Sequence, residues 1–93
     1  MVTLHIEHAI SDFGVWRTAF ELFATARRDA GVVAERIYRK LDDDEFVIID
    51  LDFATAERAA AFHTFLQTVI WSTPTNSPAL ASAPRTMILR PVA

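Results

Sequence analysis

The 93-residue chain contains no cysteine. That removes disulfide frameworks, thiolate nucleophiles and Cys-bound zinc or iron–sulfur centres in one step. Glycine (two) and proline (four) are scarce while hydrophobic residues make up 52% of the chain, a balance that excludes a disordered or low-complexity protein and points to a densely packed globule. Positive charge is neither abundant nor clustered, and the formal net charge is −3. The electrostatic footprint that nucleic acid requires is therefore missing. Long apolar runs are missing too: the longest uncharged stretch, Thr64 to Pro84, is interrupted by three prolines. The start of the chain shows no basic region followed by an apolar one, so a soluble cytoplasmic protein with no membrane segment is expected. A chain of this length makes one domain, 1–93, and buries a smaller share of its surface than a large protein does, which leaves apolar material for a partner to cover.

What is present is periodic. Residues 2–8, VTLHIEH, alternate Val2, Leu4 and Ile6 against Thr3, His5 and Glu7, the pattern of a strand with one apolar and one polar face. From Ser11 the period changes to three or four, through Phe13, Trp16, Phe20, Phe23 and Arg27, with Ser11 or Asp12 as cap and Gly31 just past the end. This predicts one helix to about Ala30. Residues 32–41, VVAERIYRKL, carry polar side chains on both parities, as an edge strand does.

The stretch LDDDEFVIIDLDF, Leu41 to Phe53, concentrates five aspartates and a glutamate among strongly apolar residues. Asp42, Asp43 and Asp44 fall between two strand patterns, where aspartate favours a turn. Beyond them Val47, Ile49, Leu51 and Phe53 point one way, and Phe46, Ile48, Asp50 and Asp52 the other. Residues 55–71 return to helical spacing through Ala59, Phe62, Leu66 and Val69, with Thr55 as cap. Residues 72–84 read as a loop holding at most one short helical turn near Ala79, and TMILRPV supplies a fourth strand. The order β-α-β-β-α-β predicts an α+β, ferredoxin-like fold with a four-stranded antiparallel sheet in spatial order 4-1-3-2.

On this reading Leu4, Ile6, Val47, Ile49, Leu51 and Leu89 meet the helices. The opposite face carries His5, Glu7, Phe46, Ile48, Asp50, Asp52, Ile88 and Arg90, with Arg36 and Tyr38 from the second strand. Apolar side chains mixed with balanced charge suit a sheet packed on a copy of itself, which predicts a homodimer through His5, Glu7, Ile48, Asp50, Asp52 and Arg90. Glu7, Asp50, Asp52 and His5 also have the oxygen-rich chemistry of a magnesium or manganese site. Arg36, Lys40 and Arg90 lie close enough in sequence pattern to pair with these acids, so no metal is assigned. His5-x-Glu7 matches half of a zinc-deaminase signature whose two cysteines do not exist here.

Taken together, SDFGVWRTAF, YRKLDDDEFVIIDLDF and the element order resemble the dimeric α/β-barrel superfamily that includes the antibiotic-biosynthesis monooxygenases. The matching residues are Asp12, Phe13, Trp16 and Phe20 on the first helix, then the hairpin and the apolar third strand. These form the fold rather than carry catalysis. The resemblance implies a dimeric α/β barrel with a ligand cavity between helices and sheet, and chemistry such as cofactor-independent oxygenation, haem degradation or polyketide cyclisation. The haem-degrading pattern needs a first-strand asparagine, whereas the only asparagine here is Asn76 in the loop.

In that cavity Trp16, Phe20 and Phe62 are candidate walls for a phenolic or polycyclic aromatic ligand, with ordinary core packing as the alternative. His63, flanking the apolar face of the second long helix, is the candidate general base or else a boundary histidine. Arg36 and Tyr38 serve either a phenolate or carboxylate ligand or the sheet interface. Trp71, opening the long loop, is a lid residue or a plug. No cofactor is expected. The function expected from these residues is a cofactor-independent monooxygenase, with a non-catalytic ligand-binding or assembly dimer, or a polyketide-cyclase-like enzyme, as alternatives.

Overall fold

The computed structural model describes residues 1–92. Strand β1 (Val2–Ala9) is followed by helices α1 (Phe13–Leu22) and α2 (Ala24–Asp29), strands β2 (Val32–Lys40) and β3 (Asp43–Phe53), helix α3 (Ala56–Phe65), a π-helical turn (Leu66–Ile70) and strand β4 (Arg85–Leu89). The sheet runs β2-β3-β1-β4 with every pairing antiparallel, so the predicted order 4-1-3-2 is the one observed. Alternation placed the central strands correctly: Leu4, Ile6, Val47, Ile49, Leu51 and Phe53 are buried beneath the helices.

Local chemistry sets the element boundaries. Asp12 caps α1, its Oδ1 accepting from the Val15 amide at 2.8 Å, and Thr55 caps α3 through the Arg58 amide at 3.3 Å. Gly31 takes φ +97° between α2 and β2, a left-handed geometry that only glycine adopts without strain.

Four expectations need correction. The first helix is two: Phe23 leaves helical geometry at φ −103°, ψ 16°, and α2 turns so that the Arg27 guanidinium lies 3.6 Å over the Phe20 ring. The second helix widens into the π turn, where the Trp71 amide reaches the Leu66 carbonyl at 2.7 Å. Thr64, Thr68 and Ser72 hydroxyls all donate back to carbonyls four residues earlier, the side-chain competition that bends and loosens helices. Asp43 and Asp44 belong to β3, leaving Leu41 and Asp42 as the turn. Finally, β4 has the opposite parity. Ile88 pairs with Leu4 and Thr86 with Ile6 on the helix side, while Met87 and Leu89 pair with His5 and Thr3 on the other face. Leu89 is thus not a helix-facing residue, and Arg90 lies beyond the last paired position.

Residues 72–84 contain turns and no helix near Ala79. They are laced to the end of β1: Ser11 donates to the Ala79 carbonyl at 2.9 Å, Ala81 to the Ala9 carbonyl at 3.1 Å, and the Ala9 amide to Ser82 Oγ at 2.9 Å. That lacing closes one end of the space between helices and sheet.

Candidate functional site

The space lies between the sheet and the helical layer. Its floor is Ile6, His8, Ile49 and Leu51; Trp16, Phe20, Phe23, Phe62, Phe65 and Trp71 form aromatic walls, and Asn76 to Leu80 cover it. Its cavity volume is about 70 Å³, and about 650 Å³ when all the space out to open solvent is counted. The aromatic walls are built by helical spacing. Trp16 stacks on Phe20 at 4.9 Å between centroids, and Phe62 contacts Phe65 at 5.6 Å and Phe53 at 5.9 Å.

Two polar side chains in this lining are buried, His8 and Arg27. Arg27 is held by Glu35 (Nε to Oε2, 2.8 Å) and by the Phe20 carbonyl, to which it donates at 2.6 Å. Glu35 itself is outside the lining, so no carboxylate faces the cavity among the described residues. His8 donates from Nδ1 to the Ala9 carbonyl at 2.9 Å, because a carbonyl can only accept. Burial lowers its pKa below the ordinary 6.5, against the opposing pull of that hydrogen bond. The imidazole is therefore neutral, with its other nitrogen unprotonated.

Of the candidates from sequence, Trp16, Phe20, Phe62 and Trp71 come together here. His63 does not line the cavity. Its Nε2 is 3.0 Å from Thr86 Oγ1, under β4, and its ring meets Trp71 edge-on at 6.3 Å. The β4 parity explains this, since Thr86 faces α3 and takes up the histidine. Arg36 and Tyr38 project from the opposite sheet face, paired in register with Asp50 and Ile48. His8 was missed although it has the helix-facing parity of Leu4 and Ile6, and that parity was the available signal.

The second sheet face is an ordered charge network. His5 Nδ1 lies 2.7 Å from Asp50 and its Nε2 3.0 Å from Glu7. Arg36 grips Asp52 with two hydrogen bonds, at 2.8 and 3.0 Å, while Thr3 donates to the same carboxylate at 2.7 Å. These partners hold the Asp52 pKa at about 2, with Arg36 the larger influence. Burial pulls the His5 pKa down, but its bonds to Glu7 and Asp50 outweigh that and raise it above 6.5. Each acid first weighed as a metal ligand is thus engaged in pairing. Around the network Tyr38, Met87 and Leu89 are exposed and Ile48 half-buried.

No family model matches the sequence, and no curated protein is similar to it. Solved structures are similar over the whole chain. An antibiotic biosynthesis monooxygenase superposes with a TM-score of 0.71 at 10% identity, covering 100% of both chains. A protein from Nitrosomonas europaea, assigned provisionally to the same class, gives 0.71 at 15% identity and 100% of both chains. A dimeric ferredoxin-like protein from an uncultured marine organism gives 0.68 at 10% identity, covering 99% of this chain and 97% of its own. The chain has the ferredoxin-like fold of the antibiotic-biosynthesis-monooxygenase-like proteins. At such identities the likeness establishes fold and carries no residue roles.

Proposed function

We propose that this protein is a cofactor-independent monooxygenase of electron-rich phenols that works as a homodimer through the second sheet face. The observation that carries the reading is the cavity: six aromatic side chains wall it, and its two buried polar side chains are a neutral histidine and an arginine. Aromatic walls hold a flat ring and exclude water, and a cation in the wall favours an anion over its neutral acid.

Loss of the phenolic proton leaves an anion that reduces dioxygen directly. One oxygen atom becomes a new ring carbonyl and the other leaves as water, so a phenol plus dioxygen yields a quinone plus water. The chain supplies a shaped site and a place for the proton. His63, committed to Thr86, is given no part in this transfer. The exposed Tyr38, Met87 and Leu89 beside the His5–Asp50 and Arg36–Asp52 pairs give the second face the apolar and charged mixture of a homodimer interface.

The test is oxygen uptake with a panel of substituted hydroquinones under ¹⁸O₂, with the same preparation weighed by native mass spectrometry. One labelled oxygen per product and a doubled mass are expected. A ligand that binds without oxygen uptake would leave a non-catalytic binding dimer, and an unlabelled product lighter by one water would mark a cyclase.

A further inference from the structure

His8 is 3% exposed and tied at Nδ1, while among the described residues Nε2 has no hydrogen-bond partner. Among the described residues every side-chain nitrogen or oxygen that is sealed from the surface has a partner. Nε2 is therefore not sealed, and His8 forms part of the cavity floor. An unprotonated nitrogen at the floor of an apolar cavity is an acceptor without a donor.

Building on the monooxygenase reading above, we propose that His8 is the proton acceptor of this cavity. A phenolic hydroxyl seats on Nε2 while its ring lies among Trp16, Phe20 and Phe62. In the step that follows, the phenol O–H bond breaks and an Nε2–H bond forms, leaving a phenolate beside an imidazolium. Burial of the imidazole, which disfavours a lone charge, is offset because the charge appears together with its counter-ion. Arg27 is the charged side chain in the same lining, with Glu35 as its counter-ion. The fixed Nδ1–H donation to Ala9 keeps the tautomer that accepts at Nε2.

The cavity volume of about 70 Å³ is smaller than the ~150 Å³ of a dry engineered cavity that takes up benzene. One ring therefore reaches the floor only if the lining gives way around it.

The experiment titrates the protein with phenol and with anisole, which has the same ring but no hydroxyl proton, following Trp16 and Trp71 fluorescence. Phenol is expected to bind about tenfold more tightly, the worth of one neutral hydrogen bond. His8→Phe abolishes that preference. His8→Gln, whose carbonyl accepts a bond but cannot take the proton, keeps the preference and loses kcat for oxygen uptake with little change in KM. Equal binding of phenol and anisole, no binding of either, or a preference that survives His8→Phe overturns the assignment. If His8→Phe does not fold, the wild-type comparison and His8→Gln still decide. Phenol selectivity without oxygen uptake keeps His8 as acceptor and removes the monooxygenase. Oxygen uptake unchanged in His8→Gln does the reverse.

Discussion

Replacing Phe62 with alanine tests the packing and the cavity together. The ring is 4% exposed and lies between Phe53 and Phe65 while also lining the cavity. Truncation removes about 100 Å³, which at roughly 24 cal/mol per Å³ of unfilled space costs about 2.4 kcal/mol, with the lost transfer of the ring itself added. Partial collapse of the site returns some of this, so a total of about 3 to 5 kcal/mol is expected, the range for buried phenylalanine. That is a large share of the ~5–15 kcal/mol by which such a domain is stable. The vacated space enlarges the cavity of about 70 Å³ beside it and gives a benzene-sized ring more room. Urea unfolding gives the cost, and a thermal shift in benzene-saturated buffer should stabilise Phe62→Ala more than the wild type. A loss below about 1.5 kcal/mol, combined with no benzene effect, would refute both the packing of Phe62 and its place in the cavity wall.

The histidines make opposite contributions on the two sides of pH 6.5. His5, with its pKa raised above 6.5 in the fold, contributes stability that is complete below 6.5 and lost as pH rises through the folded value; His8, lowered, contributes above 6.5 and loses it as pH falls. Unfolding measured from pH 5 to 9 should show the alkaline decline disappear in His5→Asn and the decline below 6.5 disappear in His8→Gln; identical profiles for all three proteins would contradict the assignment. Asp52, lowered from 3.8 to about 2, contributes above 3.8 and loses it as pH falls through about 2. Arg36→Met should therefore unfold at higher pH than the wild type in an acid titration followed by tryptophan fluorescence, and an unchanged acid midpoint would show that the exposed Arg36–Asp52 pair is screened by solvent.

How far the chain can be read depends on how strongly each segment's side-chain period is tied to a buried face. In β1 and β3 a period of two separates Leu4, Ile6, Val47, Ile49 and Leu51 from His5, Asp50 and Asp52, and a slip of one residue would turn every apolar side chain out of the core. Fold class, sheet order and the part of the second face that β1 and β3 contribute were therefore legible. The aromatic walls were legible for the same reason, through the helical spacing of Trp16, Phe20 and Phe62. Strand β4 has apolar residues on both parities, Met87, Ile88 and Leu89, so its sequence contains no preference; pairing with β1 sets its register, and Thr86 takes His63 away from the cavity. The break at Phe23 has neither glycine nor proline to announce it, and it places Arg27 over Phe20.

What the sequence determined alone is everything that repeats: the alternating strands, the capped helices, the sheet order that their succession permits, and the chemistry that lacking cysteine excludes. What the tertiary structure decided is which polar groups share a space. His8 and Arg27 are 19 positions apart, on a strand end and a short helix, and line the same cavity. Local periodicity records which side of an element is buried; it does not record what stands across from it, because that depends on register and turns set by distant packing.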